Sequence, residues 1–318
     1  MSKARQAADE VNRQQAGRRN LIINGAMQVT QRTMSATGIT SSGYKSVDRH
    51  KVDLSSLGTW THAQSTDAPN GFANSLKFTC TTADASPAAG DYIISSIATE
   101  AQNLQSLAYG TSDAKALTLS FWVKSNKTGA ASLEFQQIDN SSKRYTTSYT
   151  INSADTWEYK TITVPGDTAG AINNDTGNGL WIGFWLNSGS TYTGGSLSES
   201  WQTVNSNQRN ASNLGLGGST SDYWQITGVQ LEVGDVATPF EHRSYGEELA
   251  LCQRYFYRHS DQQYSYGDRL HTDLRTTMRA NPTITVTAGS STVNRAKKNF
   301  VTFNSYTGNI VFNADAEI

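Results

Sequence analysis

Cysteine is nearly absent: Cys80 and Cys252 are the only two in 318 residues, and their spacing is not that of a paired motif. That excludes a disulfide-framed scaffold, and the lack of a secretory segment at the N-terminus points to synthesis in a reducing cytoplasm. Charge is scarce as well, with 26 basic against 27 acidic residues, a net charge of -1, and only 17% of residues charged. A general grip on DNA, RNA or an anionic membrane needs clustered Lys and Arg that release counterions, so nucleic acid is not an expected partner. No apolar run approaches the roughly 20 residues that span a bilayer, so membrane insertion is not expected either.

The signatures of catalysis and metal binding are missing too. His50, His62, His242, His259 and His271 show no helical i,i+4 pairing and no accompanying cysteine, so no transition-metal site is expected. Asn173, Asn174, Asp175, Gly177 and Asn178 fail the EF-hand spacing and read as a hairpin tip. No GxSxG elbow occurs, Cys80 lies in a Thr-rich strand with no base beside it, and LGLGGS at 214–219 lacks the GK[ST] of a phosphate loop. Asp48, Asp53, Glu134 and Asp139 are scattered carboxylates, whereas a glycosidase needs two at a set separation. Asp48 and Arg49 read as a local ion pair at a strand end. No catalytic residue is assigned, and the chain is not expected to be an enzyme.

What is abundant is aromatic: seven Trp, fourteen Tyr and ten Phe, set among Ser, Thr, Asn and Gly. That mixture favours strands and turns. LTLSFWVKS puts Leu117, Leu119, Phe121 and Val123 on one face, and WIGFWLN does the same for Ile182, Phe184 and Leu186. Trp122, Trp181 and Trp185 then point to the opposite faces, either covered by loops or neighbours or forming a flat platform for sugar rings. In YWQITGVQLEVGDVATPFE, Val229, Leu231 and Val233 alternate with Gln230 and Glu232; Gly234 and Asp235 supply a turn, and Pro239 stops further pairing. The polar stretch from Asn187 to Asp222 carries Tyr192 and Trp201 and is too long for an idle turn, which makes it a candidate recognition loop.

The reading is all-β from Asn20 to Arg243, a two-layer sandwich. Before it, residues 1–19 form a short helical arm, with Ala4, Ala8, Val11 and Gln15 at helical spacing. Alone in water such a helix is marginal, so it frays or is held by copies of itself or by another protein. After it, residues 244–318 form a small module. SYGEELALCQRYFYR is a short helix with Leu249, Cys252 and Phe256 on one stripe, followed by strands over MRANPTITVTAG and FVTFNSYTGNIVF, the latter a hairpin turning near Ser305 to Asn309.

NLIINGAMQV, LTLSFWVKSNKTG, TWEYKTITVP and WQITGVQLEVGDVATPFEHR occur in that order, and they resemble a carbohydrate-binding-module-type, galactose-binding-like jelly roll. The phrasing is especially similar to tail-fibre and related appendage proteins of tailed bacteriophages, where GEELALCQRYF and TMRANPT follow the jelly roll; the likeness covers about residues 20–285. It implies a virion protein, made in the bacterial host cytoplasm and homotrimeric. Its N-terminal arm would meet other tail proteins, and its distal part the host surface. The aromatic residues suggest the means: Tyr192 and Trp201, with Trp122, Trp181 and Trp185, would be displayed to stack on cell-surface glycans, weak sites made strong by multivalency. A purely structural adaptor or decoration protein is the alternative, and a depolymerase a more distant one. Related jelly rolls hold a structural calcium between first and last strands, which would draw in Glu232 and main-chain oxygens near Asn24. Glu232 simply alternating outward and pairing with a neighbour is the other reading, and no cofactor is assigned.

Overall fold

The computed structural model describes residues 19–140, 143–259 and 266–318, with backbone alone at 266–268 and 305–307. The helical arm expected over residues 1–19 lies, apart from Arg19, outside the described residues, and Arg19 itself is not helical. The sandwich is built from β1 (Ser35–Ile39), β2 (Gly43–Tyr44), β3 (Lys51–Ser55), β4 (Thr59–Ser65), β5 (Ser75–Thr82), β6 (Tyr92–Glu100) and β7 (Leu117–Ser125). It continues with β8 (Gly129–Gln137), β9 (Lys143–Ile151), β10 (Glu158–Val164), β11 (Asn178–Ser188), β12 (Gln202–Thr203) and β13 (Tyr223–Val233). The remainder holds α1 (Tyr245–Gln253), β14 (Phe256–His259), β15 (Tyr266–Asp273), β16 (Thr283–Lys297) and β17 (Phe300–Asp315).

Two antiparallel sheets face each other in a jelly-roll sandwich. The front sheet has seven strands in the order β12-β9-β8-β11-β6-β3-β2, and the back sheet six in the order β1-β4-β5-β13-β7-β10. The alternation in the sequence is what splits each strand between core and surface. Leu117, Leu119, Phe121 and Val123 of β7 are buried against Ile182, Phe184 and Leu186 of β11. Phe121 meets Phe184 edge-on at 5.2 Å and Tyr149 at 5.2 Å, while Trp224 packs on Phe184 at 5.7 Å and donates its indole N–H to the Tyr149 hydroxyl at 3.0 Å. Edge-to-face rings with their polar ends satisfied are the arrangement that lets bulky aromatics fill a core between sheets.

β13 sits in the middle of the back sheet, between β5 and β7. Val229 and Leu231 face the core as the alternation predicts, yet Gln230 and Glu232 are buried too. The reason is the segment that follows: it folds back so that Thr238 donates its amide and hydroxyl to Glu232 at 2.8 and 2.7 Å, and the Glu241 amide reaches Gln230 at 2.8 Å. The string at 173–178 is no hairpin tip. β10 ends in the back sheet and β11 starts in the front sheet, so residues 165–177 cross between layers. There the Asp139 carboxylate accepts from the amide and side chain of Asn173, and Asp175 accepts from the Gly177 amide at 2.8 Å.

In the C-terminal module, Ser244 caps α1, and Glu247 and Glu248 occupy its first turn, where the helix dipole favours them. β17 is one continuous strand, flanked by β16 on one side and by β14 and β15 on the other. The hairpin expected within it turns instead at Lys298 and Asn299, between β16 and β17. Gly308 takes a positive φ of 72° inside the strand, so the turn-like composition there marks a local kink in β17. Val301, Phe303, Ile310 and Phe312 close a second core with Leu270 and Met278.

A charged seam joins the two cores. Arg49, at 2% exposure, pairs with Glu317, donates to the Ala98 carbonyl at 2.7 Å and lies 3.5 Å from the Tyr255 ring centroid. Asp48 faces elsewhere: it accepts from the Gln31 amide and side chain and lies 3.6 Å from Arg32. The expected local pair between Asp48 and Arg49 is therefore replaced by two long-range ones. The positive φ of Arg49, 69°, directs the adjacent side chains apart. Arg254 grips Glu100 with two 2.8 Å bonds.

Burial raises the Asp48 carboxyl to about 7, against the pull of Arg32, and pushes His50 and His62 down to about 3. The stability that Asp48 contributes is complete below its unfolded value and is lost as pH rises through 7. That of the histidines is complete above 6.5 and is lost as pH falls toward 3. Between these limits the unfolded chain takes up two protons at the histidines and lacks one at Asp48. We expect stability to fall by about 1.4 kcal/mol for each pH unit from 6.5 to 4.5. Urea unfolding at fixed pH measures it, and a flat profile would contradict the burial of these groups.

Candidate functional site

β11 turns Trp181, Gly183 and Trp185 to the outside of the front sheet. The Trp181 indole lies down along the strand over Gly183, where an added Cβ would come within 2.1 Å of the ring. Only glycine leaves room for that flat pose. Trp185 is covered completely. Its indole N–H donates to Glu134 of β8 at 2.9 Å, and Glu134 also takes Arg209 at 3.0 Å and Arg144 at 2.8 Å. The Arg209 guanidinium rests 5.0 Å from the Trp185 ring centroid and 5.7 Å from that of Tyr192. Tyr192 meets Trp185 at 5.2 Å and stands edge-on to Tyr92 at 5.5 Å.

The result is a cleft of about 140 Å³ lined by Trp181, Trp185, Tyr192, Tyr92, Ile94, Asp53 and Arg209. Asp53 is oriented by Lys51 at 2.9 Å and Ser96 at 2.5 Å. An arrangement of this kind offers ring faces for stacking and a charged rim for hydrogen bonds to hydroxyl groups. Glu134 has no exposed surface and two cationic partners, so its role is to hold Trp185 and Arg209 in place.

Of the five aromatic residues singled out from the sequence, the structure brings Trp181, Trp185 and Tyr192 together. Trp201 stands apart: its indole donates to the Pro165 carbonyl at 2.6 Å, and its ring packs on Tyr109 and Tyr145. Trp122 lies on the outer face of the back sheet, tilted against Tyr159 at 5.4 Å. Sequence reasoning missed Tyr92 and Arg209, and it met Asp53 and Glu134 only as scattered carboxylates. The outward phase of Glu134 on β8 was available, but the register Gly183↔Glu134 that places it beside β11 is a tertiary fact.

The long segment between β11 and β13 is ordered, contrary to its structureless composition. Leu214 and Leu216 sink into the core, and the amides of Leu216 and Asn210 bond to the carbonyls of Leu186 and Tyr192 at 3.1 and 2.9 Å. It is a strap that closes one side of the cleft. Cys80 is buried, and burial raises its thiol pKa. The oxygens of Glu232 are taken by Thr238 and Gln230, and the Asn24 amide by Glu248. Among the described residues no three His, Cys, Asp or Glu side chains gather as a metal site.

No protein-family model and no curated protein matches the chain. Among solved structures it is similar to the enzymatically active domain of bacteriophage CBA120 tailspike protein 4, at 12% identity and a TM-score of 0.36 over 67% of this chain. The chain spans only 21% of the length of that protein. It is also similar to TmCBM61 in complex with β-1,4-galactotriose, at 10% identity and a TM-score of 0.32 over 68% of this chain and 99% of that one. A family 11 carbohydrate-binding module from Clostridium thermocellum, in complex with a mixed-linked tetrasaccharide, gives 14% identity and a TM-score of 0.29 over 67% of this chain and 95% of that one. At such values no residue role transfers.

Replacing Glu134 by Ala strands Arg144 and Arg209 over a void and frees the Trp185 N–H. We expect a loss of about 3–5 kcal/mol in unfolding free energy, the cost of breaking a buried charge network on one side. A red-shifted tryptophan emission should accompany it in the folded protein. Wild-type stability in Glu134→Ala would show that the network holds nothing in place.

Proposed function

We propose that this chain is a glycan-binding, tail-fibre-like appendage protein of a tailed-phage virion, which attaches to saccharides on the host cell surface without cleaving them. The observation that carries the binding reading is the convergence of Trp181, Trp185, Tyr192 and Tyr92 with Arg209 and Asp53 in one cleft. Trp181 offers the stacking face, and Asp53 and Arg209 the polar rim. The virion assignment rests on the order of NLIINGAMQV, LTLSFWVKSNKTG and WQITGVQLEVGDVATPFEHR, with GEELALCQRYF after them. A homotrimer anchored to other tail proteins through residues 1–19 fits a shallow site, because three weak contacts become firm when linked.

A purely structural adaptor is the second reading, and the complete burial of Trp185 favours it. In that reading the same rings are packing material. The two are separated by a glycan array probed with the full chain. We expect binding to surface polysaccharides that weakens about tenfold in Trp181→Ala and in Tyr192→Ala. Failure of the wild type to bind any glycan would leave the adaptor. Sedimentation should give three times the chain mass, and a monomer at micromolar concentration would remove the trimer.

A further inference from the structure

The back sheet carries a second aromatic groove. In β7, Ser120 and Trp122 point outward, and the antiparallel register Tyr159↔Trp122 sets Tyr159 of β10 beside the indole. Tyr159 is 45% exposed. On the other side Phe72, Phe240 and His242 form a triad with centroids 4.9–5.4 Å apart. Between the two walls runs the bulge in β13 at Gly228, whose φ is +62°. A Cβ there would meet the Phe72 ring at 2.6 Å and the Trp122 ring at 3.1 Å, so glycine is what allows both walls to close on the strand. The groove is open to solvent and has a volume of about 420 Å³, against about 140 Å³ for the front cleft.

Two features decide what fits. No Lys, Arg, Asp or Glu lines the groove, whereas the front cleft has both signs of charge. The polar groups that do line it, the Asn70 amide, the Ser120 and Tyr159 hydroxyls and the His242 imidazole, have no side-chain hydrogen-bond partner among the described residues. An apolar occupant would bury those groups unpaired, at a cost that a ligand with hydroxyls avoids. A charged one would find no counter-charge. We infer that this groove is a second saccharide site, for an uncharged sugar unit held between the Trp122–Tyr159 wall and the Phe72–Phe240–His242 wall.

The two sites lie on opposite outer faces of one sandwich, so a single chain bridges two glycan segments. The inference goes beyond the front-cleft reading and does not depend on it. Calorimetric titration of the full chain with neutral β-1,4-glucan, mixed-linkage glucan and β-1,4-galactan oligosaccharides tests it. Tyr159→Ala lies on an edge strand and should fold normally; Phe240→Ala is the second probe, and melting temperature reports the fold of each. We expect either to weaken binding of at least one neutral oligosaccharide about tenfold, with Trp181→Ala retaining it. Titrations unchanged by Tyr159→Ala and Phe240→Ala, or a wild type that binds none of these oligosaccharides, would overturn the second site. Binding lost with Trp181→Ala alone keeps the front cleft and removes the groove. A dimer that dissociates on Phe240→Ala would show the groove to be a contact between copies, and would also overturn it.

Discussion

The interaction on which the rest of the structure depends is the clamp between the N-terminal segment and the bulged centre of β13. Where the register with β7 breaks between Thr227 and Gln230, the backbone of β13 is left open. Val229 then donates to Gly25, and the Leu21 amide donates to Leu231, each at 2.9 Å. Asn20 bonds the same strand twice, through Nδ2 to the Val229 carbonyl at 3.1 Å and through Oδ1 from the Leu231 amide at 3.1 Å. An added Cβ on Gly25 would fall 2.1 Å from the Val229 carbonyl oxygen, so the approach is closed to every other residue. Arg243 then ties the Ile22 carbonyl to Glu248 of α1. One bulge thus seats the chain's entry into the sandwich, its exit toward the C-terminal module and the floor of the back groove.

The layers of the fold could be read from the sequence because period-two alternation reports directly on which face of a strand is buried. Leu117 to Val123 and Ile182 to Leu186 are cases where local pattern and tertiary burial have the same cause. The seam is the opposite case. Nothing near Arg49 in the chain announces Glu317, because the pair is set by how two modules dock. The nearest carboxylate in sequence, Asp48, is drawn to Gln31 and Arg32 instead. The same limit explains the crossover at 165–177, where turn chemistry is visible but the choice of sheet is not, and the turn of the last hairpin, where Gly308 looks like a corner and is a kink.

The candidate sites divide along the same line. Outward-facing Trp residues were visible as breaks in the aliphatic pattern, and three of the five meet in one cleft. Their supports were not visible: Glu134, Arg209 and Tyr92 come from separate strands and the strap, and Phe72, Phe240 and His242 from loops flanking β5 and β13. A ring that points away from the core advertises itself, while the group that fixes its pose is recognisable only once strands are in register.

The two outer faces fix aromatic rings by opposite physical means, and this bears on what each can hold. In the front cleft a fully buried carboxylate between two guanidinium groups pins Trp185 and Arg209. The desolvation cost of that network is offset only while all partners stay, which makes the cleft rigid and its charges directional. In the back groove no charge is spent on positioning. Missing side chains do the work: Gly228 lets Phe72 and Trp122 approach the same strand from two sides, and the polar groups remain uncommitted. A site held by charge discriminates by charge, and one held by shape discriminates by shape. One sandwich, with a single core between its two sheets, thus presents two outer faces of different chemistry, one lined by charged groups and one without them.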